Sequence, residues 1–211
     1  MQVTKKPYKI AIISTHGTGK TTLCYDVAAA FKKINLRTKV FSEVASLAFE
    51  QGIPINQATS LPAQLYIMLT HICEELKGGL RNYEVVVCDR SVFDNWIYLE
   101  RRCGRGANSF ILDFIRRYAE EFPYDAVYKL PLVGELLPDG VRDADSRKFQ
   151  ADIYERLNEV LNELAIPHTT LPVPRSALRH EWRDFILEET LSRLRPAIPG
   201  GVPVSVPALA G

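Results

Sequence analysis

A glycine-rich segment between a predicted strand and a predicted helix is the part of this chain best suited to chemistry. It reads Ser-Thr-His-Gly-Thr-Gly-Lys-Thr-Thr over residues 14–22, after an apolar run at Tyr8–Ile13 and before a helical pattern that begins at Thr21. Glycines let the backbone bend so that successive N–H groups point at phosphate oxygens, and the helix N-terminus adds donors and partial positive charge. The segment therefore predicts a binding site for the phosphates of a nucleoside triphosphate, with a plain Gly/Thr turn as the alternative.

Residues of this segment, which we call the phosphate loop (residues 14–22), have distinct expected roles. Lys20 can reach the β- and γ-phosphates, and the hydroxyl of Thr21 can bind Mg²⁺. Ser14 stands where the G-x-x-x-x-G-K-[ST] pattern has its first glycine, which we expect to be tolerated because the later glycines remain. We expect His16 to shape the loop or to donate weakly to phosphate, not to catalyse. The predicted nucleotide-binding residues are His16, Gly17, Thr18, Gly19, Lys20, Thr21 and Thr22.

The composition is that of a globular protein with one core. The chain has 211 residues, of which 46% are hydrophobic, and a net charge of +1 from 26 basic and 25 acidic residues. Because basic and acidic residues nearly balance, the chain has no overall attraction for nucleic acid or for an anionic membrane, and we expect neither as a partner. No apolar run approaches the roughly 20 residues of a membrane span. Widely spaced cysteines without a C-x-x-C pair, and an N-terminus unlike a signal peptide, predict a cytoplasmic protein with reduced thiols.

Hydrophobic patterning predicts strands that alternate with helices. Strands are expected at Tyr8–Ser14, Thr38–Ser42, Glu84–Cys88, Asp125–Leu130 and His168–Leu171. Helices are expected at Thr21–Lys33, Glu43–Gln51, Leu61–Lys77, Val92–Arg102, Asn108–Glu121, Lys148–Leu164 and Arg175–Arg195. This alternation predicts an α/β fold with a five-stranded parallel sheet and helices on both faces, in which ligands bind beyond the carboxyl ends of the strands. One domain is expected over residues 1–195, with a lid loop at about 133–147, followed by a Pro/Gly-rich tail at 196–211 that could mediate homo-oligomerisation.

Charged residues follow two of the predicted strands where a bound phosphate would lie. Asp89 follows the third strand, where it can bind Mg²⁺ opposite the phosphate loop. Arg90 comes next, where motor-type and AAA+ hydrolases usually have a glutamate that activates water, and an arginine suits a phosphate or an acceptor instead. The alternative is a strand-end ion pair. Glu43 follows the second strand and could accept a proton from an acceptor hydroxyl, or could only interact with the dipole of its helix.

Two arginines occupy the predicted lid loop. Arg142 and Arg147 could close over a transferred phosphate, stabilise its charge and help to exclude water. A solvated charged loop is the alternative. On the helix after the second strand, Gln64 and Tyr66 could line an acceptor pocket, although a lone pair of this kind is more often at the surface.

With these residues placed, the chain resembles the P-loop small-molecule kinases. The resemblance runs from about Tyr8 to Leu171 and depends mainly on residues 14–22, FSEVA at 41–45, VVVCDRSVFDNWIY at 85–98 and DGVRDADSRKF at 139–149. The pattern is similar to nicotinamide-riboside kinase domains, deoxynucleoside kinases and thymidylate kinases. The resemblance implies a nucleotide-kinase-like P-loop NTPase fold, an ATP site at Gly17–Thr22 and a Mg²⁺-organising Asp89. In deoxynucleoside kinases the carboxylate after the second strand is the acceptor base, which matches Glu43 here.

The combined prediction is an ATP- and Mg²⁺-dependent kinase for a nucleoside, a nucleotide or a similar small hydroxylated metabolite. The rival hypothesis is an NTPase switch that hydrolyses ATP or GTP slowly and signals to a partner. The absence of an Asn-Lys-x-Asp segment disfavours GTP, whereas the apolar tail would suit docking to a partner. The expected metal ligands are Thr21 and Asp89, and the expected catalytic residues are Lys20, Glu43, Asp89, Arg90, Arg142 and Arg147.

Overall fold

The computed structural model has alternating strands and helices where the hydrophobic pattern predicts them. It describes residues 6–42, 44–55, 59–105, 109–132, 147–175 and 180–194. Its strands are β1 (Tyr8–Ile13), β2 (Thr38–Phe41), β3 (Val85–Asp89), β4 (Ala126–Lys129) and β5 (Thr169–Thr170). Its helices are α1 (Lys20–Lys33), α2 (Val44–Glu50), α3 (Leu61–Gly79), α4 (Val92–Cys103), α5 (Ser109–Glu121), α6 (Arg147–Glu163) and α7 (His180–Leu194). The predicted α/β architecture is confirmed.

The strands form a single parallel sheet in the order β2-β3-β1-β4-β5. β1 lies at its centre and Ile10–Ile13 are fully buried, as expected of a strand that is covered on both faces. β1 pairs Ile12 with Asp89 of β3 and Ile13 with Lys129 of β4, so three carboxyl ends lie at one edge. Because the chain order reverses across β1, this edge has the crevice in which open α/β sheets bind ligands.

Alternate residues of β1 belong to two hydrophobic cores, one on each face of the sheet. Ala11 and Ile13 face the larger core, which α3, α4, α5 and α6 cover. Ile10 and Ile12 face the smaller core, which is formed with α1 and α7. Within the described ranges, no helix is both long and apolar enough to cross a membrane.

Most boundaries differ from the prediction by a few residues, and three of these differences concern the core or the candidate site. α3 continues through Gly78 and Gly79, where the sequence predicts its end, and Gly78 packs against the ring of Phe41. Asp89 is the last residue of β3 and not the first residue after it, while Arg147 begins α6 instead of closing the loop before it. Residues 133–146 of the predicted lid loop and the tail at 196–211 lie outside the described residues.

The carboxylate of Glu75, on α3, lies at the centre of a buried ion network. Burial alone would raise the pKa of this group, but the hydrogen bond and charge of His71, together with the charge of Lys9, outweigh burial and lower the pKa to about 2. Glu75 therefore stays ionised although its side chain is buried. Its partners are Lys9 Nζ at 3.0 Å, His71 Nε2 at 2.8 Å, Tyr118 Oη at 2.8 Å and Tyr124 Oη at 2.6 Å.

Tyr124 connects this network to the start of α4. Its hydroxyl donates to Glu75 and accepts a 3.0 Å hydrogen bond from the backbone N–H of Val92, the first residue of α4. The ammonium of Lys9, on β1, lies 4.2 Å from the centroid of the Tyr124 ring. The network therefore holds the N-terminus of α4 in place relative to the central strand.

The substitution Gly78→Ala is expected to destabilise the protein, because a Cβ at this position would lie 2.5 Å from the buried ring of Phe41. Overpacking of this kind lowers the free energy of unfolding by about 1–3 kcal/mol. Gly79→Ala is the matched control: its Cβ would meet no described atom within 4 Å, and alanine favours a helix by up to about 1 kcal/mol. Urea denaturation measures the difference, and equal stabilities of the two variants would contradict the expected clash.

The substitution Glu75→Gln is expected to change the pH dependence of stability in acid. Because the folded-state pKa is about 2, below the ordinary 4.5, ionised Glu75 stabilises the fold above pH 4.5, and this contribution is lost as the pH falls towards 2. A shift of this size corresponds to about 3 kcal/mol. Chemical denaturation across this pH range should show a shallower acid loss for Glu75→Gln than for the parent protein. The exposed control Glu120→Gln should keep the parent profile, and a parent-like profile for Glu75→Gln would refute the assignment.

Candidate nucleotide-binding site

The backbone of the phosphate loop has the shape that a phosphate cradle needs. Gly17 and Gly19 have φ values of 69° and 83°, in the left-handed region that is open to glycine because it has no Cβ. Gly19 is the N-cap of α1, and no described side chain caps this helix end. The first N–H groups of α1 are thus available to an anion, which the helix dipole also attracts.

The ammonium of Lys20 lies inside this loop. Lys20 is 5% exposed, and its Nζ donates to the backbone carbonyl of Thr15 at 2.5 Å. The hydroxyl of Thr18 donates to the same carbonyl at 3.0 Å. From this position the lysine can move to the β- and γ-phosphates of a bound nucleotide.

Ser14, which replaces the first glycine of the usual pattern, joins the loop to the neighbouring strand. It is 1% exposed, and its hydroxyl donates to the carbonyl of Leu130, directly after β4, at 3.1 Å. The serine thus makes a hydrogen bond that a glycine could not make.

His16 is held between α4 and α6 and makes the contacts of a residue that shapes the loop. Its ring lies 5.4 Å from the ring of Phe149, centroid to centroid, and its Nδ1 lies 3.5 Å from the hydroxyl of Tyr98. Its backbone carbonyl accepts a 2.8 Å hydrogen bond from the side-chain amide of Gln150. Sequence reasoning missed Gln150 and Tyr98, since nothing in their spacing indicates contact with the loop.

Thr21 and Asp89 meet at the end of β3. The Thr21 hydroxyl donates to Oδ2 of Asp89 at 2.5 Å, and Asp89 is 1% exposed. A hydroxyl and a carboxylate beside a phosphate site are oxygen ligands that fit Mg²⁺, which usually binds one or two carboxylates plus substrate phosphates and water. In the described part of the chain there is no cluster of three or more His, Cys, Asp or Glu side chains that could hold a metal without phosphate. These residues therefore suit a Mg²⁺ ion shared with a nucleotide.

Arg90 occupies a strained backbone position next to Asp89. Its φ is 92°, a value that costs a non-glycine residue about 1–3 kcal/mol and occurs mostly at functional sites. The Arg90 N–H donates to the carbonyl of Ile12 at 3.1 Å, and its guanidinium lies 5.1 Å from the centroid of the Tyr98 ring. At 4% exposure, this buried cation lies beside the phosphate loop.

The next residue, Ser91, is the N-cap of α4 and helps to hold Arg90 in this conformation. Ser91 and Asp94 form a capping box, in which the hydroxyl and backbone N–H of Ser91 donate to Asp94 Oδ2 at 2.6 Å and 3.0 Å. The Asp94 N–H in turn donates to the Ser91 hydroxyl at 3.4 Å. The chain therefore has a fixed hydrogen-bond pattern on both sides of Arg90.

A small pocket opens beside Arg90, with a volume of about 20 Å³. Asn95 is 4% exposed, and its Nδ2 has no hydrogen-bond partner among the described residues. Gln64, a candidate for an acceptor pocket, lines this pocket and is buried, although a lone glutamine is more often at the surface; its Nε2 donates to the hydroxyl of Thr59 at 2.8 Å. Asn95 was missed, although a polar residue beside the buried aromatic residues Phe93 and Trp96 was a usable signal. The pocket is lined by Ala45, Ile55, Gln64, Ile67, Arg90, Asn95 and Tyr98.

A larger cleft of about 360 Å³ lies between α4 and α6, but its charges already neutralise each other. Arg156 pairs with Glu100 at 2.6 Å and with Glu159 at 2.8 Å. Hydrogen bonds to these carboxylates raise the pKa of Arg156 further above its usual range. Because the arginines of the cleft are already paired with carboxylates, the small pocket beside Arg90 is the better candidate for ligand binding.

The remaining predicted catalytic residues are only partly described. Glu43 and Arg142 lie outside the described residues. Arg147 is exposed at the first position of α6, the helix whose first turn carries Phe149 and Gln150 against the phosphate loop. Tyr66, the other candidate for the acceptor pocket, is exposed and does not line it.

Known proteins share this fold. A family model described as an AAA domain, AAA_28, matches residues 9–179. The crystal structure of NadR protein in complex with NR superposes with a TM-score of 0.71 at 15% identity, over 86% of this chain and 51% of that one. The structure of NadR protein in complex with NAD and AMP-PNP has a TM-score of 0.71 at 13% identity, over 94% and 52%. The chain thus spans about half the length of these NadR chains, and no curated protein matches its sequence.

The substitution Asp89→Asn is expected to weaken nucleotide binding only when Mg²⁺ is present, because the carboxylate charge that suits the ion is removed. Titration of a fluorescent ATP analogue with and without Mg²⁺ should show a metal-dependent gain in affinity that falls at least about tenfold in the variant. Asp113→Asn, on the exposed face of α5, is the control and should retain the gain. A full metal effect in Asp89→Asn would overturn the role given to this carboxylate.

Proposed function

The chain belongs to the AAA_28 family of AAA domains, and we propose that it is an ATP- and Mg²⁺-dependent kinase for a small hydroxylated acceptor. A nucleoside, a nucleotide or a related metabolite fits this description. The observation that carries the proposal is Arg90, because a buried cation, not a carboxylate, follows Asp89 beside the phosphate loop. A guanidinium keeps its protons, so it cannot activate water as a glutamate does, but it can bind a phosphate oxygen.

Phosphoryl transfer depends on positioning and on charge more than on covalent chemistry by the protein. Lys20 and the N–H groups of the phosphate loop bind the β- and γ-phosphates, and Arg90 neutralises charge that develops on the transferred group. Thr21 and Asp89 hold Mg²⁺, which when bound supplies positive charge to the phosphate oxygens. These residues together favour transfer to a positioned acceptor over attack by bulk water.

The pocket beside Arg90 is the proposed acceptor site. A buried donor without a partner costs about 1–3 kcal/mol, and an oxygen of the acceptor would satisfy Asn95 Nδ2, which has no hydrogen-bond partner among the described residues. Gln64, whose side-chain amide donates to Thr59, provides a second polar group in the pocket wall. Because the volume is only about 20 Å³, binding requires the short helix α2, which carries Ala45 of the pocket wall, to move outward.

Three further roles in this proposal rest on the sequence. Glu43 accepts the proton of the acceptor hydroxyl, and its place in the chain, two residues before Ala45 of the pocket wall, supports this role. Arg142 and Arg147 close over the transferred phosphate. The contact of Gln150 with the phosphate loop supports this role for the segment before α6.

The ligands of the similar structures support an acceptor derived from a nucleotide. One NadR structure is in complex with NR, and the other is in complex with NAD and AMP-PNP. At 13–15% identity the shared feature is the fold. For this chain, therefore, the acceptor class is part of the proposal.

A nucleotide-binding switch without an acceptor is the second candidate function. The small volume of the pocket beside Arg90 favours it, because an acceptor-free NTPase needs no further space there. In that case the protein would hydrolyse ATP or GTP slowly and a partner would recognise the bound state.

Incubation of the protein with ATP, Mg²⁺ and a panel of nucleosides and nucleotides, followed by mass spectrometry, tests the kinase. We expect ADP and a phosphorylated acceptor in equal amounts. Activity should fall by at least about a hundredfold in Lys20→Met, because the transferred charge loses a stabilising cation. The exposed Lys32→Met, on the same helix, is the control and should be fully active.

The same assay separates the two candidate functions. ADP formation that needs no acceptor, at equal rates in the parent protein and in Glu43→Gln, would reject the kinase in favour of the NTPase.

A further inference from the structure

An apolar stripe runs along the outer face of α3. We define the α3 stripe as Tyr66, Leu69, Cys73, Leu76 and Leu80, which are all exposed, Leu69 by 49% and Leu80 by 81%. Their spacing is three, four, three and four residues, which places them on one side of a helix and is the spacing of a coiled-coil seam. The stripe covers the helix from its second turn to its C-cap.

The opposite face of α3 is buried, so the helix is apolar on both sides. Ile67, Met68 and Ile72 belong to the hydrophobic cores, whereas a helix that faces water usually has a charged outer face. α3 has no Asp, Glu, Lys or Arg before Glu74, and the charged pair of His71 and Glu75 lies on its buried face. Glu74 and Lys77, beside the stripe, pair with each other at 2.6 Å and leave its flank neutral.

Helix α2 extends the apolar surface. The hydroxyl of Tyr66 donates to the side-chain oxygen of Gln51 at 3.1 Å, and the Gln51 N–H donates to the carbonyl of Leu47. Leu47, one helical turn before Gln51, is 51% exposed. Contiguous exposed apolar patches of several hundred Å² are typically interaction sites.

We propose that the α3 stripe is the interface of a homodimer in which α3 packs antiparallel against α3 of a second copy of this chain. A two-fold interface uses one patch twice, so the patch must be complementary to itself when it is reversed. The stripe meets this condition because its apolar residues are arranged almost symmetrically on either side of Cys73. Tyr66 and Leu80 lie seven residues to either side of it, and Leu69 and Leu76 lie four and three residues away.

The dimensions of the stripe also suit such a dimer. Fourteen helical steps from Tyr66 to Leu80 extend about 21 Å. A standard interface buries roughly 800 Å² per partner, and the exposed Leu47 at each end of the stripe adds apolar surface to the seam. A partner helix needs the same three-four spacing to fill the seam, and a second copy supplies it.

In the proposed dimer, a disulfide between the two Cys73 residues would report the antiparallel packing. Packed helices lie about 8–10 Å apart, and each Cα lies about 2.3 Å from its helix axis. Two Cys73 residues on the two-fold axis would then have Cα atoms about 4–5 Å apart, within reach of a disulfide. Cys24 and Cys88 are buried and Cys103 is partly buried, so Cys103→Ser leaves Cys73 as the exposed thiol.

Light scattering and mild oxidation of the full chain test the proposal. We expect the protein to be a dimer at micromolar concentration. The Cys103→Ser variant should form a disulfide crosslink through Cys73. The Cys73→Ser variant should remain a dimer but should not form the crosslink. Leu69→Glu should weaken the dimer at least tenfold, because it places like charges in an apolar seam. Phe110→Glu, at a still more exposed apolar site on α5, is the control and should remain dimeric.

Several outcomes would overturn the proposal. They are a monomer at all concentrations, crosslinks that persist without Cys73, and a Leu69→Glu variant that folds normally by circular dichroism and remains dimeric. A dimer that is lost only when residues 196–211 are deleted would assign the interface to the tail. Because nucleotide binding needs none of the stripe residues, failure here leaves the proposed kinase untouched.

Discussion

The parallel register between β1 and β3 is the constraint on which the site depends. Ile12 pairs with Asp89, and the N–H of Arg90 extends the ladder to the carbonyl of Ile12. Since β1 continues directly into the phosphate loop, this pairing brings the hydroxyl of Thr21 within 2.5 Å of Asp89. A slip of one residue would turn Asp89 to the opposite face of the sheet. Two strands that are buried on both faces resist such a slip.

Local strain at Arg90 is compatible with a stable fold because the surrounding structure is strongly held. The capping box at Ser91 fixes the chain on one side, and the β1 pairing fixes it on the other. Val92 is held in addition by Tyr124, which belongs to the network around Glu75. A charged network in the core thus supports the backbone that presents Arg90, although the two are separated along the chain.

Hydrophobic patterning was enough to predict the alternation of strands and helices, because apolar runs indicate the buried strands and most helices bury an apolar face with its own repeat. The exceptions depend on contacts between distant segments. Gly78 stays helical against Phe41, and Gln64 is buried in a pocket wall, which no local pattern indicates. The positions of the phosphate loop between β1 and α1 and of Asp89 at the end of β3 were predictable from the motif and from the strand pattern, whereas their binding roles stay predictions. The roles of Glu43 and Arg142 remain predictions from the sequence.

The hydrogen bond between Gln150 and the carbonyl of His16 connects α6 directly to the phosphate loop. A nucleotide that shifts this carbonyl on binding also changes the preferred position of α6, whose first residue is Arg147. The free energies of nucleotide binding and of the change in α6 are then linked. The linkage is reciprocal: whatever holds α6 in its nucleotide-bound position must raise the affinity of the loop for nucleotide by the same factor. Under the proposed kinase function, an acceptor that favours this position of α6 would therefore raise the affinity for ATP.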